Sequence, residues 1–495
     1  MLSAYNTVKE VEDSGVDTAV IPFGSVEGKG PHLPLGADLI LAEAFAREYC
    51  RGKDVYLAPA MPLGTSECQR GFAGTIYLEN ETLWDTIYDL VDYLAKHEFK
   101  RVIILNFCSY NWVLKPAVRE LNLGVGTCDV VWVEPKRLVE DIVSERLGQF
   151  SDHHAGALET SLILYLDENL VKEPVDDFLP DLGREYVDYV GMKKVSPTGV
   201  WGRPSLASRQ LGEELFRKMI KRAGDYISDA FSLFQRGGPK LDGIASEDIS
   251  RDSFYKSPVK DQKGDTLDWT KSYREIAEGR PEIAIVTLTA TEQHSHHLPL
   301  GTDFFRGVVG SRLLAEEIGA YLLPPLPVVT SWSHKGFRGT LTFKSPTARK
   351  VIIDVVSSLY EDGFRKIAIM ITHGGNWIAK PTVIELNRKY PDLKLIYASG
   401  DALSYRGQAK ANNVHSGAGE TAFIMDYYPE CLKPPMTDFS PNVPTSYMDY
   451  VGMRGVSPKG VWGAPSGAKK GMGIQSVKSS VQHMSEYIKN AFEKV

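Results

Sequence analysis

One unit is written twice in this chain, and that repetition limits every fold open to it. YVDYVGMKKVSPTGVWG at 186–202 recurs as YMDYVGMRGVSPKGVWG at 447–463, an offset of 261. Upstream, EGKGPHLPLGAD at 27–38 recurs as EQHSHHLPLGTD at 292–303, an offset of 265. GFAGT at 71–75 matches GFRGT at 336–340 and NW at 111–112 matches NW at 376–377, both at 265, whereas HAGALET (154–160) matches HSGAGET (415–421) at 261. The second copy is therefore four residues shorter where 113–153 faces 378–414. A period this long specifies two duplicated domains and not a solenoid. The expected domains are 1–240 and 265–495, with a linker at 241–264 inside the polar stretch 236–265, which lacks apolar periodicity.

Within each copy, short β-rich runs alternate with amphipathic helical patterns. AVIPFG (19–24) and RVIILNF (101–107) read as strands, 37–50 and 82–97 as helices; 351–364 and 366–373 repeat the helix–strand step. This predicts an α/β fold, two tandem domains each with a mainly parallel sheet flanked by helices. The polar motifs directly follow the apolar strands, where open α/β sheets bind ligands. With 56 basic against 63 acidic residues and a net charge of -7, nothing electrostatic points to nucleic acid or a membrane surface. Five scattered cysteines, a start without a basic and apolar leader, and apolar runs of strand length predict a soluble, cytoplasmic chain.

The second copy carries the fuller set of metal-binding side chains. Glu292 and His294 sit at a strand end, Asp303 closes the same loop, His373 opens HGGN after the next strand, and His415 and Glu420 lie in HSGAGET. Borderline nitrogen and hard oxygen donors in this mixture suit zinc, manganese or iron better than calcium. A shared carboxylate such as Asp303 can bridge two ions, and a dinuclear pair can activate water. Taken singly, a strand-end His or Asp is more often a cap or a structural hydrogen-bonding group than a ligand, and Gly374 and Gly375 alone could serve a turn needing positive φ; three such clusters at corresponding strand ends favour metal. His334 in SWSHKGFRGT lines the same mouth or stands apart from it; His296 reads as incidental and His483 as a surface residue.

The series E-Q-H-x-x-H-L-P-L-x-x-D, H-G-G-N and H-x-G-x-x-E-T resembles the creatininase family of metal-dependent amidohydrolases, and the resemblance covers almost all of each half. It implies an α/β sandwich with a dinuclear centre that hydrolyses C–N bonds of a small-molecule substrate: a cyclic amide, a formamide or a related compound. Position by position, Glu292, Asp303 and His373 would hold one metal, and His294 with Asp303 the other. Creatininase supplies a further glutamate two residues after the HGGN-type histidine. This chain has Gly375 there, which leaves Glu420 as the candidate. His415 matches the family's proton carrier, and Trp377 and Trp462 either wall the substrate site or pack in the core.

In the first half Glu27, Asp38, His154 and Glu159 persist, but His294 is replaced by Lys29, His373 by Cys108, His334 by Gln69, and Gly374 and Gly375 by Ser109 and Tyr110. A charged lysine has no lone pair for a metal. The expectation is that Lys29 neutralises Asp38 and Glu159 by a buried ion pair. Glu27, Asp38 and Cys108 would then either form a mononuclear zinc site or leave Cys108 as a small buried hydrophobe. This predicts a degenerate first half and one active site per chain. Family members form rings of single-domain subunits, which implies a homo-oligomer, with Tyr450, Met453 and Trp462 as interface candidates. Rival readings are a scaffold with both sites retired and a peptide-processing hydrolase on the same metals. Arg338 reads as an anchor for a substrate anion or as a surface residue.

Overall fold

The computed structural model describes residues 1–125, 128–147, 152–234, 266–399 and 414–494, and the linker expected at 241–264 lies outside them. The first sheet contains β1 (Leu2–Ser3), β2 (Thr18–Phe23), β3 (Tyr56–Leu57), β4 (Arg101–Asn106) and β5 (Asp129–Val133), ordered β1-β3-β2-β4-β5. The second contains β6 (Ile283–Leu288), β7 (Tyr321–Leu322), β8 (Lys366–Ile371) and β9 (Lys394–Ser399), ordered β7-β6-β8-β9. Every named pairing is parallel. Where the first sheet has β1, the second has a single bridge from Asp268 to Leu322. β2 and β4 are buried along their whole length, as near-continuous apolar strands covered on both faces must be.

Helices follow from apolar spacing. Asn80–Lys96 buries Leu83, Ile87, Leu90, Val91 and Leu94; Ser345–Glu361 buries Ala348, Val351, Ile352, Val355, Val356 and Leu359. Each is one stripe at helical period. The two helices meet where the halves join, and a single apolar core runs through both sheets across that junction. At roughly 1.5–3 kcal/mol per large side chain removed from water, this shared core outweighs the polar contacts at its rim.

Backbone hydrogen bonds across the junction come in reciprocal pairs. Leu35 N donates to Lys271 O and Gly36 N to Trp269 O; the counterparts Leu300 N and Gly301 N donate to Asn6 O and Ala4 O. Tyr56 Oη donates to Gly339 O and Tyr321 Oη to Gly74 O, both at 2.9 Å. The capping boxes Thr7–Glu10 and Ser272–Glu275 repeat in the same way. The halves are thus related by a pseudo-twofold, each lending its entry segment to the other. Arg338 belongs to this junction: it donates to His97 O and Val16 O and lies over the Phe99 ring, so it is neither a substrate anchor nor a free surface residue.

Asp362 Oδ2 accepts the Gly74 amide across the junction at 2.6 Å, and burial pushes its carboxyl up to about 7. The folded chain therefore holds this proton more firmly than the unfolded one, and the group costs stability as pH rises from about 4 through 7. Asp362→Asn keeps an acceptor without the charge. Its advantage in melting temperature over the wild type should widen from acidic to mildly alkaline pH; parallel melting curves would show that Asp362 does not titrate in this window.

Candidate metal centre

The second half gathers its polar residues beyond the carboxyl ends of β6 and β8. Glu292 and His294 occupy the loop after β6, Asp303 the first turn of helix Thr302–Ile318, and His373 the loop after β8. His415 pairs by an isolated antiparallel bridge with Trp462, and Glu420 stands in the first turn of helix Ala418–Tyr427. Ser295 and Ser416, next to these groups, hold φ of 63° and 53°, left-handed values costly for a residue with a side chain and found where surroundings impose them.

Distances place the six groups together. His373 Nδ1 lies 3.1 Å from Glu292 Oε1 and 3.3 Å from Asp303 Oδ2. His294 Nε2 lies 3.6 Å from Asp303 Oδ2 and 4.0 Å from Glu420 Oε1. Donor atoms of Glu292, Asp303 and His373, of His294, Asp303 and Glu420, and of Glu292, His294 and His415 each fall within 4.8 Å of one another. Carbonyls aim the rings: His294 Nδ1 meets Glu292 O at 3.1 Å, His373 Nε2 meets Thr330 O at 3.0 Å, and His415 Nε2 meets Gln293 O at 2.8 Å. A ring nitrogen on a carbonyl must carry the proton, so whenever one of these rings is neutral its other nitrogen has the lone pair toward the cluster.

The decisive feature is what this cluster lacks. Both carboxylate oxygens of Glu292 and Nε2 of His294 are buried and make no well-aligned hydrogen bond among the described residues, although His373 Nδ1 comes within 3.1 Å of Glu292 Oε1. Leaving such groups unpaired is expensive, and a divalent cation is the species that three carboxylates and oriented imidazoles would satisfy. Burial opposes charge on His373, yet Glu292 and Asp303 outweigh it and raise its pKa to about 10, so Nδ1 holds a proton between the two carboxylates that a bound cation would replace. Asp303 is held below the usual carboxylate range despite burial by His294, His373 and Arg306. Gly375 is required by close approach: a Cβ there would lie 2.1 Å from His373 Nε2. Neither it nor Gly374 has positive φ, so the turn explanation fails, and a glutamate at 375 has no room.

His334 is brought in as a hydrogen-bonding neighbour. Gln293 Nε2 donates to its Nδ1 at 2.8 Å, which turns Nε2–H toward Glu292 Oε1 at 3.4 Å. Trp462 is buried in the shared core, and its backbone pairs with that of His415. Trp377 is 59% exposed, ruling out core packing. Met453 is buried, and of the three interface candidates only Tyr450, at 83%, is exposed. Arg306 was missed by motif reading. Its Nη1 lies 3.3 Å from Glu420 Oε1 and 3.5 Å from Asp303 Oδ1. A cation one helical turn after a ligand carboxylate was the available signal.

In the first half ammonium groups occupy the same place. Lys29 Nζ lies 2.9 Å from Glu27, 3.0 Å from Asp38 and 3.0 Å from Glu159. Lys136, also missed, reaches Asp38 Oδ1 at 2.9 Å and Glu159 Oε1 at 2.5 Å. Ser25 donates to Asp38, Ser66 to Glu27, and the Ala155 amide to Glu159. His154 Nε2 lies 3.1 Å from Glu27 Oε1. Glu27, Asp38 and Cys108 are close enough to hold an ion, but burial pushes the Cys108 thiol up to about 12 and Lys29 sits on both carboxylates, which supports a neutral buried thiol there.

The family model for creatininase, creatinine amidohydrolase, matches residues 4–227 and again 267–488. The chain belongs to the creatininase family, hydrolases of carbon–nitrogen bonds, and carries the family unit in tandem. It is 26% identical over 231 residues to the creatinine amidohydrolase of Pseudomonas putida, covering 43% of this chain and 89% of that one. It is 31% identical over 251 residues to the mycofactocin precursor peptide peptidase of Mycobacterium tuberculosis, covering 46% and 87%. Among solved structures, a manganese creatininase aligns at 24% identity over 45% of this chain and 94% of its own, with a TM-score of 0.38. Among the described residues no helix is long and apolar enough to cross a membrane.

Removing one partner from a buried charge cluster leaves the others uncompensated, at a cost of about 3–5 kcal/mol. Lys29→Met should therefore lower unfolding stability by that amount in denaturant titrations and leave the metal content of the chain unchanged. A neutral effect would mean that the first-half carboxylates are not ionised together.

Proposed function

We propose that this protein is a metal-dependent hydrolase of a carbon–nitrogen bond whose active centre is built by the second half, with the first half non-catalytic. The observation that carries this is the contrast between the Glu292 oxygens and His294 Nε2, which make no well-aligned hydrogen bond among the described residues, and the lysine-filled Glu27, Asp38 and Glu159. Glu292, Asp303 and His373 would hold one zinc, manganese or iron ion, and His294, Asp303 and Glu420 a second, with Asp303 shared. Such a pair, when bound, supplies Lewis acidity to the scissile carbonyl and to water.

The chain's own residues position and move the proton. Burial and the neighbouring His294 lower the pKa of His415, which keeps it neutral near pH 7. With Nε2–H committed to Gln293 O, its Nδ1 lone pair faces Glu292 at 4.0 Å. That nitrogen can accept a proton from the attacking water and return it to the leaving nitrogen. The longer separation, against 3.1 Å for His373, supports a proton carrier over a further metal ligand. His334 Nε2–H braces Glu292 in this scheme, and half-exposed Trp377 is left at the mouth to meet substrate.

A small amide or cyclic amide is the substrate class supported by the Pseudomonas relative. Peptide cleavage is the second reading, supported by the higher identity, 31% against 26%, to the mycobacterial peptidase. Exposed Tyr189 and Tyr450, at equivalent places in the two halves, support self-association. His415→Ala should cut turnover on a panel of cyclic amides, formamides and short peptides by about 10²–10⁴-fold while metal content stays at the wild-type value. Undiminished turnover would remove the proton-carrier role, and hydrolysis that persists after exhaustive chelation would remove the metal-dependent reading.

A further inference from the structure

Both halves place a cation on the same pair of carboxylates, and they do it with residues from unrelated positions. In the first half Lys136 reaches Asp38 Oδ1 and Glu159 Oε1. In the second, Arg306 reaches the matching atoms, Asp303 Oδ1 and Glu420 Oε1. The counterpart of Arg306 by the 265 offset is Leu41, and that of Lys136 is Asp401, outside the described residues. The two cations differ in how firmly they are held. Lys136 is buried and makes contacts of 2.5 and 2.9 Å. Arg306 is 39% exposed, makes contacts of 3.3 and 3.5 Å, and uses only Nη1. Its Nε and Nη2 donate to no group among the described residues.

We infer that Arg306 is the substrate-anion anchor of the second-half site, so that the preferred substrate is an amide or peptide bearing a carboxylate next to the scissile bond. This rests on the metal-dependent reading above. Divalent ions on Asp303 and Glu420 would take up the lone pairs that Arg306 now shares, and two such ions more than balance Glu292, Asp303 and Glu420. The guanidinium then has a like-charged neighbour and no partner. Because it sits on the first turns of a rigid helix at the solvent edge of the site, its reach is restricted to the mouth. Its unused Nε and Nη2 form the planar fork that pairs bidentately with a carboxylate. A lysine at the same place would offer a point charge without that fork, and the first half, which has leucine at the equivalent position, has no such anchor.

The test is binding by calorimetry to the manganese-loaded full chain, with N-acetyl amino acids as probes against their primary amides, after metal content has been measured. Wild type should bind the carboxylate probes at least about tenfold tighter than the amides, a difference expected of one charge-assisted bidentate pair. Arg306→Leu should abolish that discrimination with metal content no lower than wild type, and Arg306→Lys should retain part of it. Equal affinity for both probes, no measurable binding of the carboxylates, or discrimination that survives in Arg306→Leu would overturn the proposal. Failure of the hydrolase reading shows separately, as carboxylate discrimination without turnover of any probe, or as absence of bound metal.

Discussion

Three carboxylates meet inside each half at the ends of its parallel strands, and the rest of the molecule is arranged around their need for positive charge. In the first half Lys29 and Lys136 meet that need, with serine hydroxyls, a backbone amide and His154 filling the remaining positions. In the second half no lysine among the described residues enters. Arg306 touches only the edge, and the Glu292 oxygens and His294 Nε2 make no well-aligned hydrogen bond among the described residues. A buried carboxylate group that is neither neutralised nor hydrogen-bonded is among the most costly arrangements a fold can hold. The same scaffold therefore supports opposite solutions, one closed by side chains and one open to cations.

The junction explains how the lysine-filled half can still serve the other. Ala4 and Asn6 of the first half accept the amides of Gly301 and Leu300, in the loop that runs from Glu292 to Asp303. Trp269 and Lys271 return the same service to Gly36 and Leu35, just before Asp38. The continuous core and the reciprocal Tyr56 and Tyr321 hydrogen bonds keep these segments in register. The ligand loop of the second half is thus fixed by backbone that only the first half provides, and that contribution is independent of whether the first half holds a metal.

The duplication, the α/β class and the strand–helix steps were legible because each rests on residues repeated at fixed offsets or on uninterrupted apolar runs. The helix expected at 37–50 is observed at Ala37–Cys50, and the strand expected at 366–373 ends at Ile371. The residues of the second-half cluster could be named because family motifs carry them. Lys136 and Arg306 could not. The first lies where the two copies lose their register, and the second faces Leu41, so comparison of the halves hides it. Arg338 misled for a related reason: a reciprocal junction between two copies leaves no trace in the spacing of either one. Met453 and Trp462 show that a segment retained in both copies does not reveal whether its large side chains face solvent or the core.

The central claim is that cations fill the second half and lysines the first. Metal per chain, measured by plasma mass spectrometry on protein purified without added metal or chelator, tests it directly. The account predicts about two equivalents, falling toward zero in a His294→Ala, His373→Ala double variant and unchanged in Cys108→Ser. An equivalent lost on changing Cys108, or no bound metal even after reconstitution, would contradict it.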